Sequence, residues 1–321
     1  MQTIRQPTLL DICKLVTLGA VWASAFLCIE IALVDFSPLA IACWRITIGT
    51  LALTPLVIFS ARGVSGSWPD NPRIWVFITL SGLLYNAIPF TLISWGQQYI
   101  SSGVAAILMS CGPFIALGLS HFLTNDDRFT IPKLIGVSLG FSGVLVLIGA
   151  QAMGGSTQAI LGQLAMVAAV TCYVLSSLLI RRIVGLSPLM ISLAVLATSS
   201  VYMIPMLFAF GEPFPVIEHR SSLIALIFLG LVPTAAAYIL RVQIAQQVGA
   251  TFLAQVSYII PVFGLFWSWL FLDQIPGSTS WIALLFILSG LGISRLFPQK
   301  YSRRKTARVS AKSNGTMDSN P

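Results

Sequence analysis

The sequence predicts an all-α integral membrane protein with ten transmembrane helices, arranged as two inverted five-helix repeats. Three observations predict it. Hydrophobic residues make up 56% of the chain and charged residues only 9%, with a mean hydropathy of +0.89. A soluble chain carries roughly 25% charged residues to cover its exterior, whereas a chain in lipid leaves its exterior apolar. Runs of about twenty mostly apolar residues, the length that crosses a hydrocarbon core of about 30 Å, recur along the chain. Residue patterns of the first half also return in the second at nearly constant spacing.

The spans fall at about 13–33, 39–60, 74–95, 101–122, 132–150, 159–180, 187–209, 223–241, 248–271 and 279–297. Their connections hold most of the Pro, Gly and charge, as in Ala61 to Arg73, Thr124 to Lys133 and Gly211 to Ser222, and none is long enough for a soluble domain. The first run is too long for a signal-peptide core and lacks a small-residue cleavage site, so it is expected to stay in the mature protein. Cys13, Cys28, Cys43, Cys111 and Cys172 all lie in spans without metal or redox spacing and read as packing residues. Neither a metal nor a cofactor is expected. Trp68, Trp75, Trp269 and Trp281 fall near span ends, where the interface favours indole rings.

Lys and Arg set the orientation, because they prefer the cytoplasmic side in short loops near helix ends. With the N-terminus inside, that side collects Arg5, Lys14, Arg62, Arg73, Arg128, Lys133, Arg181, Arg182, Arg241, Arg295 and the Lys and Arg from Lys300 onward. Only Arg220 falls in an outer loop, and Arg45 lies within a span. Both termini are therefore expected in the cytoplasm, in a multi-pass protein of an inner or plasma membrane. The net charge of +8 reads as topology and not as a nucleic-acid footprint, since it is spread over one membrane face and gathered in a basic tail. That tail, 298–321, is expected to be disordered, with anionic membrane lipid as its one plausible contact. The Asn314-Gly315-Thr316 sequon on it reads as accidental.

Ser37-Pro38-Leu39 recurs as Ser187-Pro188-Leu189, Gly82 as Gly230, Gln97-Gln98 as Gln246-Gln247 and Pro113 as Pro261, at offsets of 148 to 150. Four matches in one order point to two copies of a five-span unit, 1–150 and 151–297. Five is odd, so the second copy enters the membrane from the opposite side and the halves are related by an axis in the membrane plane. In transporters this symmetry places a site between the halves that opens alternately to each side.

These residues resemble the drug/metabolite transporter superfamily, specifically its EamA-type branch. The first half is similar in Val21-Trp22-Ala23-Ser24-Ala25-Phe26, in Ser37-Pro38, in Arg45, and in Gln98-Tyr99-Ile100-Ser101-Ser102-Gly103-Val104-Ala105-Ala106, followed by Pro113 and by Gly136 to Gly143. The second half repeats the plan in Gly162 to Arg182, Ser187-Pro188, Gly230 to Gln247, Pro261 and Phe271-Leu272-Asp273. Two positions depart from the family pattern. Asn125-Asp126-Asp127 and Asp273 stand where a Glu is usual, and Trp22-Ala23 where Trp-Gly is common. The resemblance implies a ten-helix carrier that exports amino acids or related small metabolites, in a superfamily that also moves nucleosides, vitamins and drugs.

Ionisable groups inside a membrane cost about 2.5–3.5 kcal/mol each at the centre, so each needs a reason. Glu30 and Arg45 lie equally far along the chain from Ser37-Pro38, which brings them to similar depth as a gate, a proton-linked site or a structural ion pair. Prolines in spans four and nine free backbone carbonyls, and broken helices line substrate sites. Around Pro113 and Pro261 stand Ser110, Gln255, Ser257 and Tyr258, and in spans three and eight Asn86, Pro89, Trp95, Pro233 and Tyr238, with Trp22 and Tyr173 as weaker candidates. The same residues read equally as hydrogen-bonding links between helices. Gly140-Phe141-Ser142-Gly143 fits a serine-nucleophile pattern, but the chain has only His121 and His219 to serve as a base, and the glycines read as close helix packing. No catalytic group is assigned. The expectation is a secondary carrier, monomer or homodimer, driven by a gradient that includes proton or ion coupling, with a small-molecule substrate; a membrane-embedded enzyme or a receptor subunit fits less well.

Overall fold

The computed structural model describes residues 5–60, 68–123, 131–153 and 156–296. Asn125-Asp126-Asp127, the tail 298–321 and the His121 side chain fall outside that description. Among the described residues there is no strand. The helices are α1 Leu9–Ala32, α2 Pro38–Ser60, α3 Pro72–Gly96, α4 Ser102–Met109, α5 Gly112–Leu123, α6 Ile131–Met153, α7 Thr157–Ile180, α8 Pro188–Phe210, α9 Arg220–Gln247, α10 Ala250–Leu253, α11 Val256–Leu272 and α12 Ser278–Leu296. Helices α1, α2, α3, α7, α8 and α9, with the stretch Ser102–Leu119 of α4 and α5, are long and apolar enough to cross a membrane; Leu134–Ala150, Val256–Leu272 and Ser278–Ile293 are shorter apolar helices.

Local chemistry explains the boundaries. Ser37 and Ser187 cap the helices that begin at Pro38 and Pro188, each hydroxyl accepting the N–H three residues on at 3.3 Å. Proline suits this first position because its missing N–H would have no helical partner there. Helix α1 starts at Leu9, earlier than its apolar run, because Asp11 accepts the Thr8 N–H at 2.8 Å and binds Arg5 through both oxygens at 2.6 and 2.8 Å. Helix α9 runs on past the predicted end of its span, which puts Arg241 inside a helix and not in a connection.

Two helices carry wide turns that the sequence reading did not anticipate. Leu83–Ala87 in α3 and Gly230–Ala236 in α9 are π-helical. Proline supplies the cause: it lacks an N–H and its ring crowds the carbonyl four residues back, a conflict that a wider turn relieves. Pro89 follows the first wide turn and Pro233 lies within the second. A full interruption separates α4 from α5 at Ser110-Cys111, just before Pro113. Its counterpart lies at Ala254-Gln255, while Pro261 is carried inside the continuous helix α11.

Packing turns a soluble fold inside out. Leu51, Phe59, Leu145, Val201, Phe210, Ile224 and Leu285 are exposed on the outside, while Asn86, Ser81, Ser94, Ser199 and Thr234 are buried. Without a hydrophobic drive between helices, close approach depends on small residues. A Cβ on Gly82 would stand 2.9 Å from the Val195 carbonyl oxygen of α8, and one on Gly230 would stand 3.2 Å from the Arg45 carbonyl oxygen of α2. Gly143 of α6 faces the Ala283 carbonyl of α12, and Gly290 of α12 faces the Gly136 carbonyl of α6. Thr50 of α2 and Ser200 of α8 share a hydrogen bond of 3.0 Å.

Candidate functional site

The two wide turns bring polar side chains of α3 and α9 together beside α2, α7 and α8. Asn86 is fully buried; its amide donates to Ser199 Oγ at 3.0 Å and to the Val195 carbonyl at 3.4 Å, and its Oδ1 accepts the Tyr238 hydroxyl at 3.3 Å. Tyr85 stands edge-on to Tyr173 and Tyr238, with ring centroids 5.2 and 5.8 Å away. Three helices thus contribute one tyrosine each.

Two arginines join this wall. Arg45 of α2 is 5% exposed; its Nε donates to Thr234 Oγ1 at 3.2 Å and its guanidinium carbon lies 3.7 Å from the centre of the Phe90 ring. Thr234 passes its own proton back to the Leu229 carbonyl at 2.9 Å, the acceptor whose regular donor four residues on would have been Pro233. Arg241 of α9 lies with its guanidinium carbon 5.4 Å from the Tyr85 ring centre. Aromatic faces attract such cations but do not neutralise them.

Glu30 and Arg45 do not meet. The Glu30 carboxylate instead accepts the Ser102 N–H at 2.8 Å and the Gln274 side-chain amide, and Gln274 in turn accepts the Ser268 hydroxyl. This network joins the end of α1 to the start of α4 and to the α11–α12 connection. Close by, the Gln97 amide donates to the Phe26 carbonyl at 2.8 Å. At the same end of the bundle His219 binds Asp35 through its backbone N–H at 2.9 Å and its ring at 3.0 Å. The hydrogen bond with Asp35 holds the imidazole pKa above its ordinary value, and that with His219 holds the carboxyl below its own.

Of the predicted cavity residues, the structure brings Asn86 and Tyr238 together with Arg45 and Tyr173. Trp95 is half-buried, edge-on to Tyr99 at 5.2 Å, and lines a separate cleft of about 660 Å³ with Ser37, Leu39, Thr91 and Gly211. Ser110 is buried and donates to the Ile107 carbonyl at 2.6 Å, back into the last turn of α4. Gln255 is exposed. Ser257 is half-buried, Pro113 half-buried and Pro261 buried, none with a hydrogen bond or ring contact to the arginine–tyrosine wall. Tyr258 packs partly buried against the main core. Ser142 donates to the Ser138 carbonyl at 2.9 Å and is half-buried, while Gly140 and Gly143 make helix contacts. The sequence reading missed Tyr85, Phe90, Ser199, Thr234 and Arg241. The signal for Arg241 was there: it stands six residues before Gln247, whose counterpart Gln98 follows span three.

Comparison with known proteins gives one consistent result. The EamA-like transporter family matches residues 10–149 and again 160–296. YdfC of Bacillus subtilis, described as an uncharacterized transporter, is 26% identical over 91% of this chain and 92% of its own. A probable amino-acid metabolite efflux pump of Escherichia coli is 25% identical over 85% and 91% of the two chains. A probable terminal-alkyne amino-acid exporter of Streptantibioticus cattleyicolor is 23% identical over 79% and 83%. One crystal structure shares the fold at a TM-score of 0.64 and 21% identity, over 92% of this chain and 98% of that one.

Proposed function

Since the chain belongs to the EamA-like transporter family, and is a multi-pass membrane transporter of the drug/metabolite type, we propose that it exports small organic metabolites, amino acids or close relatives, by alternating access. The reading includes ten spans in two inverted halves, 1–150 and 151–297, with the solute held between them near Asn86 and Tyr238. The membrane is an inner or plasma membrane and both termini face the cytoplasm.

One observation carries the inverted arrangement: contacts recur in exchanged form at the repeat offset. Gly82 of the first half against Val195 of the second corresponds to Gly230 of the second against Arg45 of the first, and Gly143 against Ala283 corresponds to Gly290 against Gly136 at a closely similar offset of 147. Thr50 and Ser200, 150 residues apart, meet each other, as two equivalent positions do on a two-fold axis. The three shorter apolar helices, counted with the seven longer ones, support a reading of ten spans. The two family matches, 10–149 and 160–296, agree with the halves. Amino acids as the solute class are supported by what two relatives are said to export, at 23% and 25% identity. Nucleosides, vitamins and drugs are the alternatives that a screen would separate.

The site follows from the wide turns. A π-helical turn leaves backbone groups outside the regular ladder, and such irregular backbone is tolerated in a membrane where it is buried in protein or lines a cavity, which supports a site at these turns. Purified protein in liposomes loaded with unlabelled amino acids is expected to exchange labelled ones. Tyr238→Phe and Asn86→Ala are expected to slow exchange about tenfold, as loss of a hydrogen bond to a bound polar group does. Exchange at the unmodified rate in both variants would refute the site, and no exchange across a broad panel would refute the solute class.

A further inference from the structure

We propose that Arg45 and Arg241 together bind the carboxylate of the transported solute; the proposal rests on the transporter reading above and names the chemistry its site selects. Each arginine lies in a long apolar helix, Arg45 well inside its span and Arg241 at the predicted end of its own, and a cation within the membrane is costly unless it is paired or used. Among the described residues neither has a carboxylate partner. No described carboxylate lies within ion-pair distance: Asp11, Glu30 and Asp35 are held by other partners near the ends of α1, and Asp70, Glu212, Glu218 and Asp273 lie in connections.

Neither arginine is required by the architecture. At the repeat offset the position matching Arg45 is Val195 and that matching Arg241 is Ile93, so the equivalent helices pack with aliphatic residues there. The cations are a feature of one orientation of the site. A chain of contacts links them: Arg241 stands over Tyr85, Tyr85 stands against Tyr238, and Tyr238 lies one turn beyond Thr234, the partner of Arg45. The Nη atoms of Arg45 have no acceptor among the described residues, and the ring of Phe90 covers the guanidinium face, leaving its edge. An unengaged guanidinium edge is the fork that takes a planar carboxylate through two parallel hydrogen bonds. Two positive charges against aromatic rings, with no negative charge beside them among the described residues, leave a site complementary to an anion, and a zwitterionic solute presents its carboxylate to it.

The test uses the full chain purified in detergent, with unfolding followed by tryptophan fluorescence. Three pairs of matched acid and amide serve as probes: propionate and propionamide, 3-phenylpropionate and 3-phenylpropionamide, leucine and leucinamide. At least one acid is expected to raise the unfolding midpoint where its amide does not. Arg45→Gln and Arg241→Gln are expected to raise the half-saturating concentration of that acid about tenfold or more, with the Lys variants losing less. Equal shifts from acid and amide, no shift from any of the acids, or unchanged half-saturation in the Gln variants would overturn the proposal. An equal shift from inorganic phosphate would overturn the carboxylate assignment. The comparison of acid with amide needs no variant, so it stands even where a buried Gln prevents folding. Exchange of labelled leucine in liposomes keeps the two readings apart: acid-selective binding without exchange retains the anion site and removes the transport reading, and exchange without acid selectivity does the reverse.

Discussion

Asn86 makes every hydrogen bond it uses to another helix or to the opposite wall: to Ser199 and Val195 of α8 and to Tyr238 of α9. Removing it takes the acceptor of the buried Tyr238 hydroxyl away where water cannot replace it, while Ser199 keeps its bond to the Val195 carbonyl. Asn86→Ala is therefore predicted to lower stability by about 1–2 kcal/mol, read by thermal unfolding in detergent, besides its effect on exchange. A stability equal to the parent's would mean that the site is hydrated and its bonds replaceable. The Asp35–His219 pair behaves differently because it lies outside the spans. The His219 pKa is raised in the folded protein, so its contribution is fully present below the unfolded value of about 6.5 and is lost as pH rises through the folded value. Asp35 is depressed, so its contribution is present above its ordinary value of 3.8 and lost as pH falls through the folded one. The unfolding midpoint is predicted to fall on the alkaline side of this window, and Asp35→Asn is predicted to flatten that fall. An identical pH profile in the variant would show that the pair contributes nothing.

At the scale of the helix, glycines and prolines decide what each element can touch. A Cβ on Gly230 would lie 2.6 Å from Ile48 Cβ, and one on Gly82 would lie 2.9 Å from a backbone oxygen, so neither clash is relieved by a rotamer change. Gly82→Ala and Gly230→Ala are each predicted to destabilise by about 1–3 kcal/mol. Gly118 of α5 has nothing within 4 Å of such a Cβ, and Gly118→Ala is predicted to be neutral or stabilising by up to about 1 kcal/mol. Equal melting points for all three would remove the close-approach account. The sequence carried the Ser-Pro starts, the apolar lengths and the glycine contacts, because capping, hydrocarbon thickness and close approach depend on residues near in sequence or on residue size alone. It did not carry the π-helical turns at Leu83–Ala87 and Gly230–Ala236, since a proline permits a kink, an interruption or a wide turn and tertiary packing selects among them. Arg45 was legible as an intramembrane charge, but not its partner. Glu30 matched it in depth yet turns to Ser102 and Gln274, and depth says nothing about which way a helix face points.

Among the described residues, a set of polar contacts gathers at one end of the bundle. One end of the bundle is tied by Glu30 to Ser102 and Gln274, by Gln97 to Phe26, by Asp35 to His219 and by the Trp44 indole to the Pro213 carbonyl, which crosses from one half to the other. Asp35 and His219 also belong to different halves, as do Glu30 and Gln274. An alternating carrier must break such cross-half ties when that end opens and remake them when it closes. Glu30 is the centre of the largest group, and its carboxylate accepts from both a backbone N–H and a side-chain amide, bonds that charge makes stronger than neutral ones. If the end shown here is the closed one, Glu30→Ala removes about 1–3 kcal/mol from the closed state alone. That shifts a two-state equilibrium by about tenfold or more toward opening. Thr91 lines the cleft at this end and supplies the reporter. In a background without the native cysteines, Thr91→Cys is predicted to react with a membrane-impermeant maleimide about tenfold faster once Glu30 is alanine. A rate unchanged by Glu30→Ala would mean that these bonds persist in both states and that the tie is structural, with opening taking place at the other end of the bundle.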